Sequence, residues 1–222
     1  MINFITACVG GYDMQYANKA ASMFKRHCTL DVSCYCITDR PGQLSAGITP
    51  IIPSLDVSGW WNKILAFGPD MPKGWTVVMD VDTVIVRDIT EIIEYAGEKN
   101  ELMAGFEDAI HWHGCKFTSS FMVFKSETLL HVYEKLEREW PTIENFPGGD
   151  QVWLYPQFEK VLFLDKFFPE AKQGLKYHLA RSVDGRIRLP LSLPDSLKII
   201  DFGGNPKPHE IANWPVITDH WR

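Results

Sequence analysis

WTVVMDVDTVIVRD, residues 75–88, decides how this chain is read. A run rich in β-branched residues, Thr76, Val77, Val78 and Met79, leads into Asp80 and resumes after Asp82 with Val84, Ile85 and Val86. Such a run predicts a buried strand, and two charges at the mouth of a buried strand need a cation. In an extended chain Asp80 and Asp82 project to one side and Val81 to the other. Their oxygens then converge on one hard metal ion, Mg²⁺ or Mn²⁺, which is how an enzyme holds a diphosphate. The competing reading is an ordinary strand end followed by an acidic turn.

At 222 residues, with 45% apolar and 13% aromatic content, the chain can bury a substantial core as one domain. The formal net charge of −6 and a pI near 5.6 argue against a nucleic-acid surface. Five cysteines, Cys8, Cys28, Cys34, Cys36 and Cys115, include no second pair to complete a zinc site and fit free thiols in a reducing compartment. Cys34 and Cys36 are expected to pack on one face of a strand. The opening MINFITACVGGYD lacks the basic start and long apolar run of a signal peptide. No stretch approaches the roughly 18 apolar residues of a membrane span. The expectation is a cytoplasmic protein.

From its start, the chain reads as a strand over 2–9, a Gly10-Gly11 turn, a cap at Asp13 and a helix over 14–26. This opens a βα nucleotide-binding unit, whose ligands lie beyond the carboxyl ends of the strands. Tyr12 sits where its ring either stacks on a base or packs in the core. A second strand over 32–38 ends in Asp39, again an acid at a carboxyl end. A loop over 40–59 surrounds a short strand at 48–52, and WWNKILAF, residues 60–67, reads as a short helix. Its Lys63 either reaches a phosphate or carboxylate or snorkels to solvent. Asp88 is expected to cap a helix to about Ala96, with a strand following at 102–106. EDAIHWHGCKFT, residues 107–118, is irregular and reads as a substrate-facing loop, with a metal role for His111 and His113 as the lesser alternative.

A strand at 119–124 and an amphipathic helix over 127–140 come next. In FPGGDQVWL, residues 146–154, a tight turn delivers Asp150 and Gln151 to the first turn of a helix, where Asp150 serves either as a cap or in a site. A last strand over 197–202 carries Asp201 into GGNPKPH, residues 203–209, a close-approach loop able to hold the Lys207 ammonium against an anion.

DVD after a buried strand, GGDQ some 70 residues later and FGGNPKP near the end together resemble the nucleotide-sugar glycosyltransferases of the GT-A fold, most closely glycosyltransferase family 8, which includes glycogenin. The chain is also similar to a group of bacterial and viral proteins that share WW-x-K, DxDT and KPHE signatures and an HWR tail like His220-Trp221-Arg222. The resemblance extends from FITACVGGY to KPH. It implies an α/β, Rossmann-like GT-A domain over 1–222, with a central, mostly parallel mixed sheet, a nucleotide-binding half at about 1–106 and an acceptor and sugar half at about 107–222. It implies transfer from a UDP-sugar, with retention, to a glycan, protein or small-molecule acceptor. Ala7, Val9, Gly10 and Tyr12 match the nucleoside cradle, with Asp39 and Val81 beside them in the donor site, and Lys63 matches the donor-binding lysine ahead of the DxD strand. Asp80 and Asp82 match the Mn²⁺ (or Mg²⁺) pair, with Asp201 as third ligand where the family has His. Asp150 and Gln151 match the pair that meets the sugar, while Gly204 and Lys207 match the loop that closes on the phosphates, Lys207 stabilising the leaving group. Two further departures touch the sugar: Thr118-Ser119-Ser120 replaces Asn-Ser-Gly, and Pro147 replaces an acid.

Two rival readings exist. Asp80-Val81-Asp82 with Val84 also fits the nucleophile motif of haloacid dehalogenase-type phosphatases, although 79 residues precede it here and no later paired-acid motif follows. A non-catalytic nucleotide-sugar-binding module is the other. Acceptor determinants are expected in loops 107–118 and 165–195, which carry no readable code.

Overall fold

The computed structural model describes residues 1–108, 110–183 and 186–222. Its main sheet has seven strands: β1 (Ile2–Ala7), β2 (Val32–Ile37), β3 (Ile48–Ile51), β4 (Trp75–Met79), β6 (Met103–Glu107), β7 (Phe117–Lys125) and β8 (Leu162–Phe163), in the order β3-β2-β1-β4-β7-β6-β8. A three-stranded sheet joins β5 (Val84–Ile85), β9 (Lys172–Gly174) and β12 (Ile199–Asp201), and β10 (Arg181–Val183) pairs with β11 (Arg186–Arg188).

Strands β1 to β4 run parallel, and the two nearest the centre of the sheet, β1 and β4, read as near-continuous apolar runs because both of their faces are covered. Helix α1 (Gln15–Arg26) buries Tyr16, Ala17, Ala20, Ala21, Met23 and Phe24, one helical stripe, and Phe24 stacks on Phe4 of β1 at 4.3 Å. Its entry is fixed by Asp13, whose Oδ1 accepts the Gln15 amide at 2.9 Å. Helix α2 (Thr90–Lys99) begins likewise, with the Thr90 amide donating to Asp88 Oδ1 at 2.8 Å. On the opposite face lie a 3₁₀ segment (Gly59–Phe67), α3 (Leu130–Glu139) and α4 (Gly149–Leu154), packed on Ile5, Val78 and Phe124. Each of the two cores draws on residues before and after position 106. Helix α5 (Pro215–His220) closes the chain against β5.

Strand β7 is longer than the expected 119–124. It starts at Phe117 because it pairs antiparallel on both sides, with β4 and, past an irregularity at Gly105/Phe106, with β6. Its start therefore lies at the carboxyl edge of β1, β2 and β4, where the parallel strands end at Ala7, Ile37 and Met79. One short stretch, Thr118 to Ser120, is thus set beside Asp80. All five cysteines are buried and free, with Cys34 and Cys36 in one core. No helix among the described residues is long and apolar enough to cross a membrane.

Candidate active site

Strand β4 ends at Met79, and the chain turns. The Thr83 amide donates to the Asp80 carbonyl at 3.1 Å, so Asp80 to Thr83 form a turn, and Val84 and Ile85 enter the small sheet instead of continuing the first strand. This corrects the expected extended geometry for the acid pair. The turn is anchored by the Asp80 amide, which donates to Ser120 O at 3.0 Å.

The two carboxylates take separate lysines. Lys63, on the 3₁₀ segment, points inward, with its Nζ 2.5 Å from Asp80 Oδ1 and 3.3 Å from Asp150 Oδ2, and donates to Ser119 Oγ at 3.2 Å. Burial alone would lower the Lys63 pKa, but Asp150 and then Asp80 more than offset it and hold the ammonium charged. Burial pushes Asp80 up to about 7 against the pull of Lys63, with Asp82 and Asp150 adding repulsion. Asp82 is also pushed up by burial, opposed by Lys207, whose ammonium it binds.

Asp150 enters through two glycines. Gly148 and Gly149 have φ of +82° and +73°, and a Cβ on Gly148 would stand 2.4 Å from Val152 Cγ2. Asp150 makes no capping bond; its Oδ2 accepts Ser119 Oγ at 2.6 Å and faces Lys63. Gln151 Nε2 donates to Asp108 Oδ2 at 2.9 Å, and Asp108 also accepts the amides of Ile110 and Trp112, which folds the 107–118 loop against α4. Asp108 was not singled out by sequence, since an acid in an irregular stretch gives no local signal of such a role.

Successive side chains of a strand point to opposite faces. Ser119 serves Asp150, and Ser120 serves Asp201: Ser120 Oγ donates to Asp201 Oδ2 at 2.7 Å, and Lys172 Nζ reaches the same oxygen at 2.8 Å. Asp201 Oδ1 accepts the Gly203 amide at 3.1 Å. Burial would raise the Asp201 pKa, but Lys172 and its hydrogen bond, with that of Ser120, hold it below the usual carboxylate range. Lys172 lies in the stretch that sequence left without a code.

The predicted nucleoside cradle adjoins the acid pair. The Gly10 amide donates to Asp39 Oδ2 at 3.3 Å, and Arg40 joins Asp39 to the Tyr12 carbonyl. Tyr12 is 40% exposed, and its phenol is pushed up by burial and by Asp82. Ala7 and Val9 sit on the same edge, at and just beyond the end of β1. A cavity of about 740 Å³ opens beside Thr118, Asp150, Gln151, Lys172, Asp201 and Gly204, with Trp60, Trp112, Phe146 and Tyr177 around it. Asp150 and Gln151, expected at the sugar, line it together with Asp201 and Gly204, expected at the metal and the phosphates, whereas Ala7, Val9, Gly10, Tyr12, Asp39, Asp80, Val81, Asp82 and Lys207 do not. Among the described residues no group of three His, Cys, Asp or Glu could hold a metal ion, His111 and His113 included. Asp80 and Asp82 nonetheless fit a hard divalent ion of the kind held by one or two carboxylates plus substrate phosphates: both are oxygen-bearing, Asp82 is buried and Asp80 partly so, and each binds a lysine through one oxygen only.

No model of a protein family matches the sequence, and a comparison by sequence with curated proteins finds no match. Solved structures do match. The galactosyltransferase LgtC in complex with donor and acceptor sugar analogs aligns with a TM-score of 0.66 at 11% identity over 98% of this chain and 94% of its own, and an active-site mutant of LgtC aligns at 0.67 with the same identity and coverage. The glycosyltransferase GlyE of Streptococcus pneumoniae TIGR4 aligns at 0.64, with 16% identity over 99% of this chain and 62% of its own. The chain has the GT-A glycosyltransferase fold, an α/β architecture with a mixed seven-stranded sheet flanked by helices.

Proposed function

We propose that this chain is a metal-dependent glycosyltransferase of the family 8 kind, which moves a sugar from a UDP-sugar to an acceptor with retention of anomeric configuration. The observation that carries the reading is the convergence of Asp80, Asp82 and Asp150 with Lys63 and Lys207 at the carboxyl edge of the parallel strands, beside the cradle and the cavity. The likeness of fold favours transfer over the phosphatase reading.

Asp80 and Asp82 would hold Mn²⁺ or Mg²⁺, which when bound supplies positive charge to the donor diphosphate. Cleavage of the bond from the anomeric carbon leaves negative charge on the departing oxygen and positive character on the sugar. Lys207, on a loop pinned by the hydrogen bond that its backbone N–H donates to Glu210 Oε2, supplies a fixed ammonium to the leaving group. Both contacts of Asp150 with Ser119 and Lys63 fall on Oδ2, so Oδ1 is the atom offered to the positive sugar. Gln151, braced by Asp108, orients the ring. Attack comes from the face that the diphosphate leaves, as the resemblance implies, with Asp150 stabilising the positive sugar rather than bonding to it.

A thermal-shift series of nucleoside diphosphates and their sugars, with and without Mn²⁺, tests this, because a ligand of the native state raises its melting temperature. UDP and one UDP-sugar are expected to stabilise the protein only with the cation. Stabilisation by no nucleotide under either condition, or hydrolysis of an aryl phosphate, overturns it.

A further inference from the structure

We propose that Asp201 is not a third metal ligand but a positioning residue, and that the Lys172 it holds is a further donor-binding cation, contacting the anionic oxygens of the nucleoside diphosphate. The inference rests on the transfer reading above and revises one residue of it.

Three donors already occupy Asp201: Ser120 Oγ and Lys172 Nζ on Oδ2, and the Gly203 amide on Oδ1. Both of its oxygens are thus engaged, whereas Asp80 and Asp82 each bind a lysine through one oxygen only, so Asp201 alone of the three could ligate a metal only by giving up a partner such as the Lys172 ammonium. Lys172 is placed by backbone register. It lies on β9, which runs parallel to β12 with Lys172 beside Ile199 and Gly174 beside Asp201. Its side chain is 6% exposed, yet the residue lines the cavity. A long buried stem thus delivers a charged head to the cavity wall.

The two departures from the resembling motifs meet each other here. Ser120 stands where the family has Gly, Asp201 where it has His, and the Ser120 hydroxyl donates to the Asp201 carboxylate. Substitutions that bond to one another act as one change, and the change builds a seat for an ammonium. Charge points the same way. Four carboxylates, Asp80, Asp82, Asp150 and Asp201, face three ammoniums, Lys63, Lys172 and Lys207, and without Lys172 the excess of carboxylates toward an anionic donor would rise from one to two.

The test measures UDP affinity by calorimetry at fixed Mn²⁺, and Mn²⁺ affinity by electron paramagnetic resonance at fixed UDP. The proteins are wild type and the variants Asp82→Asn, Asp201→Asn, Ser120→Ala, Lys172→Met and Lys172→Arg. Asp82→Asn is expected to weaken Mn²⁺ by about tenfold or more. Asp201→Asn is expected to change Mn²⁺ affinity by less than about threefold while weakening UDP. Lys172→Met should weaken UDP by about tenfold, the loss of one charged hydrogen bond, and Lys172→Arg should restore most of it. Ser120→Ala, the mildest change, should weaken UDP and not Mn²⁺, which keeps the inference testable if Lys172→Met does not fold. Loss of Mn²⁺ affinity in Asp201→Asn equal to that in Asp82→Asn, or full UDP affinity in Lys172→Met, overturns the inference alone. Wild-type protein that binds no UDP with Mn²⁺ overturns the transfer reading and this inference together.

Discussion

Replacing Lys63 by Met removes an ammonium and keeps most of the stem. In the folded protein that ammonium lies 2.5 Å from Asp80 and 3.3 Å from Asp150, with the Lys63 side chain 8% exposed. Stripping one partner from a buried ion pair costs about 3–5 kcal/mol, which for a chain of this size lowers the melting temperature by about 6–20 °C. The loss carries a pH signature. Asp80 has an ordinary value of 3.8 and is held at about 7 when folded, so folding takes up a proton between the two and stability falls as pH rises across that interval. Without Lys63 the folded value rises further and the fall continues above pH 7. Urea denaturation at pH 5, 7 and 9 should therefore show a Lys63→Met deficit that widens with pH. The double variant Lys63→Met/Asp80→Asn should lose that widening, since the titrating group is gone. A deficit below about 1 kcal/mol, or one that does not change with pH, refutes the buried-cluster reasoning.

Asp150→Asn keeps the shape of the side chain and removes its charge; kcat is expected to drop about 100-fold with donor KM nearly unchanged, as for a group that acts chiefly in the transition state. Equal losses in binding would contradict that role. Gly148→Ala places a Cβ against Val152 at a φ of +82°, so about 2–4 kcal/mol of stability should disappear, and Gly148→Ala/Val152→Ala should regain the steric part only. Gln151→Ala frees Asp108 from α4; faster hydrogen exchange over residues 107–118 and a larger rise in acceptor KM than in donor KM are expected, and unchanged exchange argues against the brace.

The parts of the fold that were legible in sequence are those with a local cause. β1, α1 and β2 follow from apolar period and Gly10-Gly11, and the helix after GGDQ lies where it was read, while Asp13 and Asp88 sit one position before the N-caps Met14 and Ile89 and accept the first helical amide. Lys63 was read as reaching a phosphate or carboxylate or snorkelling to solvent, and it is buried against the carboxylates of Asp80 and Asp150. What escaped depends on distant pairing. The turn at Asp80 is set by Thr83 and by Ser120 across the sheet, and no apolar pattern encodes it. Ser119 and Ser120 looked like departures from a motif, while their hydroxyls in fact face two different acids from opposite sides of one strand. Lys172 had no signal, because its position comes from β9 lying parallel to β12, 29 residues from the Asp201 it binds.

The most direct test of the acid turn as a cation-dependent donor site is proton NMR of a UDP-sugar incubated with the protein and Mn²⁺ in the absence of acceptor. Slow release of UDP, with the sugar first appearing in the anomeric configuration of the donor, is predicted for wild type, and no release for Asp82→Asn or after chelation. Release by Asp82→Asn in metal-depleted buffer at the wild-type rate would contradict it.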